Sequence, residues 1–134
     1  MKLVIDTNVF ISGAFFSGPP HEIVKAWNDG FIRMIISPEI FAEYQETGEK
    51  LALKFPDVDL NPWFELVATV ATFVNAPQLS EQTCTDPDDD MFLACAIASK
   101  TKLVTSGDKA LLETSGFKGI TVLTPRQFVD KYLK

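Results

Sequence analysis

Lys2-Leu3-Val4-Ile5-Asp6-Thr7-Asn8 sets an apolar run directly against a carboxylate and two further hydrogen-bonding residues. A short, branched apolar run of this kind reads as a buried strand from Lys2 to Asp6, closed by an Asx-turn. In open parallel sheets the carboxyl ends of the strands line one edge, and ligands bind there. Asp6 is therefore expected at a rim where side chains from distant parts of the chain can meet it.

Outward from that strand, apolar runs alternate with amphipathic ones. Pro19-Pro20-His21 opens a helix that runs to Asn28 and stops at Gly30, and Arg33 to Ser37 reads as the second strand. Ser37 and Pro38 form an N-cap and first-position pair for a helix through Glu43, with Gly48 as a kink or end. Trp63 to Phe73 resumes a helical pattern, Phe73 to Asn75 suggests a short strand, and residues 76–89 form the longest loop. The remaining order is a helix from Asp90 to Ser99, a strand from Lys102 to Ser106, a short helix from Lys109, a strand from Ile120 and a closing helix from Pro125. This alternation predicts a three-layer α/β/α fold with a central parallel sheet of about five strands, a single domain over residues 1–134.

With 46% hydrophobic residues and 11 Phe, the chain has material for a core without disulfides. Its two cysteines are too few for a disulfide framework, and Cys95 sits in an Ala-rich run where a thiol packs as a small hydrophobe. No run approaches the ~18 apolar residues of a membrane span, so a cytoplasmic protein is expected. The net charge of -6 disfavours gripping of a nucleic-acid duplex. Basic residues nevertheless collect from Lys100 to Lys134, and acids that hold cations no longer count against a phosphate ligand.

Four acids stand at comparable places: Asp6 after the first strand, Glu43 two turns into a helix, Asp90 at a helix start and Asp108 before another. Each alone has an ordinary explanation as a helix cap or exposed helix residue. Together they fall on one sheet edge, where converging carboxylates repel one another unless a cation holds them ionised. Within Thr85-Asp-Pro-Asp-Asp-Asp90, α-helical spacing of about 100° per residue gives Asp90 the buried face with Ala94 and Ile97. Asp90 is thus the expected ligand and Asp86 a supporting residue, with Asp88 and Asp89 solvated.

Oxygen ligands without His or Cys select Mg²⁺ or Mn²⁺ over zinc. His21, the one histidine, reads as structural, which removes Ser-His and Cys-His nucleophile schemes, and no Gly-rich phosphate loop is present.

The segments DTNVFISG at Asp6, SPEIFAEYQE at Glu43, DPDDDMFLACAIA at Asp90 and LVTSGDKALL at Asp108 resemble the four acidic motifs of the PIN (PilT N-terminal) domain, in the same order. The resemblance covers essentially the whole chain. It implies a metal-dependent ribonuclease of single-stranded RNA, often the toxin of a toxin-antitoxin pair and commonly a homodimer. Asp6, Glu43, Asp90 and Asp108 would bind one or two Mg²⁺ or Mn²⁺ ions, Asn8 would steady the first carboxylate, and Ser106 stands where the family has Thr or Ser before its last Asp. Hydrolysis would use an activated water, with Glu43 as ligand or water-orienting group, and leave a 5′-phosphate and a 3′-hydroxyl.

Candidate RNA contacts are Lys50, Lys54 and Lys109, with Phe15 and Phe16 as aromatic surfaces that stack bases or instead pack in a core or dimer. Two rivals remain. A haloacid-dehalogenase-like phosphatase would use Asp6 as nucleophile but needs Asp at position 8, which is Asn. A non-catalytic interaction module is the other; a receiver domain needs adjacent acids after the first strand, and a degenerate nuclease would lack a ligand.

Overall fold

The computed structural model describes residues 1–134. Its strands are β1 (Lys2–Ile5), β2 (Arg33–Ile36), β3 (Thr72–Phe73), β4 (Leu103–Thr105) and β5 (Thr121–Leu123). They form one sheet in the order β3-β2-β1-β4-β5, and every pairing is parallel. Val4 pairs with Val104 and Ile5 with Thr105. Parallel sheets are covered on both faces, and the strands accordingly bury continuous runs: Leu3-Val4-Ile5 and Met34-Ile35-Ile36 are almost wholly inaccessible.

Seven helices flank the sheet in the three-layer α/β/α arrangement: α1 (Thr7–Phe15), α2 (Pro19–Asn28), α3 (Pro38–Lys54), α4 (Asn61–Val70), α5 (Asp90–Ser99), α6 (Lys109–Leu112) and α7 (Pro125–Phe128). A 3₁₀ turn, Pro87–Asp89, leads into α5, and a π turn, Val129–Leu133, extends α7. Helix α5 lies across β1, β2 and β4. Its small residues Ala94, Cys95 and Ala96 are buried, allowing the close approach.

Three boundaries differ from the sequence reading. Thr7–Phe15 is a helix rather than a loop; its residues Val9, Phe10, Ile11 and Gly13 are buried, so it shows no polar face to read. It packs against α2, where a Cβ on Gly13 would stand 2.4 Å from the Pro20 carbonyl oxygen. Helix α3 continues through Gly48 to Lys54, because the glycine makes room for the Phe64 ring of α4, 2.5 Å from where its Cβ would lie. Strand β3 is only Thr72–Phe73, a short exposed edge.

The chain order runs from β1 outward through β2 to β3, then returns to the other side of β1 with β4. The crevice between the carboxyl ends of β1 and β4 is the topological switch point.

Candidate metal centre

Asp6 stands at that switch point, immediately after β1, and is 3% exposed. It caps α1 with Oδ1, which accepts the Asn8 amide at 2.7 Å, while Oδ2 accepts the hydroxyl of Ser106 at the end of β4. Asn8 thus steadies the carboxylate through its backbone; its side chain is exposed. Burial pushes the Asp6 carboxyl up, the Ser106 and Asn8 hydrogen bonds pull it back, and the charge of Asp108 adds to the upward shift.

Ser106 Oγ also accepts the amide of Asp108 at 2.9 Å, so one hydroxyl sets the spacing of both acids. Asp108 caps α6, its Oδ1 accepting the Ala110 amide at 2.9 Å, and Asp86 caps the 3₁₀ turn, its Oδ1 accepting the Asp88 amide at 3.0 Å. For Asp108 and Asp86 the capping explanation and the ligand explanation are compatible, since capping occupies one oxygen of each carboxylate.

The third acid of the cluster is Asp89. Asp86, Asp89 and Asp108 each offer a carboxylate oxygen, all within 4.8 Å of one another. Asp89 is buried, and its Oδ2 has no hydrogen-bond partner. Burial, a side-chain hydrogen-bond contact with Asp108 and the charges of Asp108, Asp86 and Asp6 push its carboxyl up to about 8. Burial and crowded like charges, with one buried Asp89 oxygen left without a hydrogen-bond partner, fit a hard divalent cation.

Asp90 was expected in this place, and its carboxylate is engaged elsewhere. Oδ1 accepts the Cys84 amide at 2.7 Å and Oδ2 the Thr83 amide at 3.0 Å. Burial raises this carboxyl, but the Cys84 and Thr83 hydrogen bonds outweigh it and hold the group below its usual range. The reason is local geometry: residues 87–89 are 3₁₀, and at about three residues per turn Asp86 and Asp89 eclipse. Asp90 begins the α-helix one step round and ties down the preceding loop. The expectation that Asp89 is solvated is corrected with it.

Glu43 comes to the rim through a residue that the sequence reading missed. Thr7 Oγ1 donates to its Oε1 at 2.5 Å. Burial pushes the Glu43 carboxyl up, the Thr7 hydrogen bond opposes this, and the charges of Asp6 and Asp88 reinforce it. The next residue, Tyr44, fixes the helix: its buried hydroxyl donates to the Ile5 carbonyl at 2.5 Å and its ring stacks on Phe10 at 4.5 Å. The only sequence signal for Thr7 was its place beside Asp6.

The other sequence candidates are peripheral. His21 Nδ1 donates to the Gly13 carbonyl at 2.9 Å, joining α2 to α1. Lys50 and Lys109 make exposed ion pairs with Glu46 and Glu113 at 3.5 and 3.9 Å. Phe15 packs edge-on against Phe16 and tilted against Phe55, and Phe16 is 55% exposed. No helix is long and apolar enough to cross a membrane.

A parallel sheet whose switch-point crevice is ringed with carboxylates defines an α/β protein fitted to hold a divalent metal ion. The chain belongs to the PIN domain family, whose model matches residues 2–110. PIN domains are typically metal-dependent nucleases, which agrees with the acids found here. The chain is also similar to an uncharacterized protein of Methanocaldococcus jannaschii, 30% identical over all of this chain and 93% of that protein.

Proposed function

We propose that the protein is an endoribonuclease that hydrolyses phosphodiester bonds of single-stranded RNA with Mg²⁺ or Mn²⁺, held by Asp6, Asp89 and Asp108 with Asp86 and Glu43 beside them. The observation that carries this reading is the buried Asp89 carboxylate, which has an unpartnered Oδ2 and an oxygen within 4.8 Å of carboxylate oxygens of both Asp86 and Asp108. Asp90, proposed as a ligand from sequence, becomes the anchor of the 83–90 loop instead.

A bound ion would supply Lewis acidity, lowering the pKa of a water and offsetting charge at the phosphate. The chain's own residues then do the positioning. Ser106 and the Asn8 amide hold the Asp6 carboxylate in one orientation. Glu43 has Oε1 tied to Thr7, leaving Oε2 to accept a proton from an attacking water, and burial pushes its carboxyl up, which makes it a stronger base than an exposed glutamate. The products are a 5′-phosphate and a 3′-hydroxyl.

The proposed setting is a cytoplasmic toxin acting as a homodimer with an antitoxin partner, as the family resemblance implies. The phosphatase alternative is disfavoured by Asn8, whose exposed amide side chain cannot serve as the acid/base carboxylate. Purified protein should cut unstructured RNA with Mg²⁺ or Mn²⁺, and lose this activity with EDTA and in Asp6→Asn and Asp89→Asn. Cleavage that survives both the chelator and the substitutions overturns the assignment.

A further inference from the structure

A cavity of about 440 Å³ opens next to the acids, between the start of α3, the 76–89 loop and α5. That size lies within the roughly 300–1,000 Å³ range of small-ligand sites. Its position ties it to the centre: Asp88 lines it and lies close enough to Glu43 to act on that carboxyl. The apolar part of its wall includes Leu79 and Met91, and Ser37, Glu39, Gln78 and Gln82 supply polar groups.

The lining contains no Lys, Arg or His, so it offers nothing to neutralise a phosphate. It is rich in acceptors. Gln82 spends its amide nitrogen on the Cys84 carbonyl at 2.9 Å, which leaves its oxygen free. Glu39, in the first turn of α3, brings a carboxylate. Its own backbone N–H is one of the helix-start donors with no carbonyl partner inside the helix. A planar, uncharged ligand with two adjacent N–H donors and an acceptor fits this set. Among nucleobases guanine alone presents N1–H and the N2 amino group side by side, matching the two oxygens of one carboxylate.

We infer that this cavity is a base-binding subsite in which Glu39 selects a guanine next to the scissile phosphate, its carboxylate accepting from N1–H and the N2 amino group. Its meaning as a substrate subsite rests on the proposed nuclease activity; the binding itself does not. Leu79 and Met91 provide the apolar surface for the ring, and Gln78 and Gln82 close the polar side. The acids of the metal centre handle the phosphate, and the cavity handles the base.

Two measurements test this. In the first, GMP, IMP and AMP are titrated, with EDTA present, into ¹⁵N-labelled protein. GMP should shift the amides of Glu39, Gln78, Gln82 and Met91, with about tenfold weaker binding for IMP, which lacks the N2 amino group, and for AMP. Glu39→Ala should abolish the difference. In the second, cleavage of oligoribonucleotides differing only in one flanking base should favour guanine over adenine about ten- to hundredfold in kcat/KM. Glu39→Gln should move that ratio toward adenine, whose edge an amide matches.

Pocket amides unmoved by GMP, or equal shifts from all three nucleotides, overturn the inference whatever the cleavage result. GMP-selective shifts at Glu39 in a protein that cuts no RNA uphold the site and count against the nuclease reading. A guanine preference that survives in Glu39→Ala removes Glu39 as the selector.

Discussion

The hydroxyl of Ser106 donates to Oδ2 of Asp6 across a hundred residues of chain and accepts the Asp108 amide. Loss of this hydroxyl leaves Oδ2 of Asp6 without its donor, releases the backbone amide that sets the position of Asp108, and raises the Asp6 carboxyl further. Groups that orient a metal ligand typically contribute 10–100-fold to affinity. Ser106→Ala is therefore expected to weaken Mn²⁺ binding by about 10–100-fold in a calorimetric titration, and Ser106→Thr to restore most of it. Equal affinity in Ser106→Ala and the native chain removes the bridge from the site.

Asp89 and Asp90 are neighbours with opposite expected phenotypes. Asp89→Asn replaces a buried carboxyl that keeps its proton in the metal-free chain with a neutral amide of the same shape, so the metal-free protein should melt no lower than the native chain while losing Mn²⁺ binding. Asp90→Asn weakens two amide contacts that hold the 83–84 backbone, and should cost about 1–3 kcal/mol of stability by urea unfolding. The Asp90 carboxyl lies below its usual range, so its contribution is present above the unfolded-state pKa and fades as pH falls through the folded value. Reversed phenotypes would return Asp90 to the cluster.

For Asp89 the sign is the other way. Its carboxyl is pushed up to about 8, so between the ordinary carboxylate range and that value the folded chain keeps a proton that the unfolded chain has released. Stability of the metal-free protein should fall as pH rises through this window, and the rise in Tm given by Mn²⁺ should grow across the same interval as the cation displaces the proton. Melting curves with EDTA and with Mn²⁺ over that range provide the measurement. A cation effect independent of pH would contradict the raised Asp89 carboxyl.

Gly13 tests the seat of α1. Alanine is favoured over glycine in a helix by about 1 kcal/mol, but here a Cβ meets the Pro20 carbonyl oxygen and Val24 Cγ2, each at 2.4 Å. Backbone cannot yield as a side-chain tip does, so the clash should win. Gly13→Ala is expected to lose about 1–3 kcal/mol in urea unfolding; a gain would show that α2 moves aside freely.

The parallel sheet was legible because β1, β2 and β4 are buried on both faces and appear as apolar runs, each followed by a polar stop such as Asp6, Ser37 or Ser106. Helix α1 was not, because a helix buried on most sides gives no amphipathic stripe. The rim position of Asp6 and Asp108 followed from strand ends alone. Choosing between Asp89 and Asp90 required the local helix type, and a one-residue 3₁₀-to-α change turns a side chain by more than any composition signal records. Thr7 escaped because its partner, Glu43, is 36 residues away, and only tertiary packing brings the two into contact.

Central placement of β1 has a consequence for synthesis. The strand made first takes β2 on one side and β4 on the other, and its partner for Val4 in β4 is Val104, a hundred residues later. A nascent polypeptide that has not yet reached residue 106 has Asp6 without Ser106 or Asp108. The carboxylate cluster therefore cannot assemble until β4 and the turn that follows it have been made.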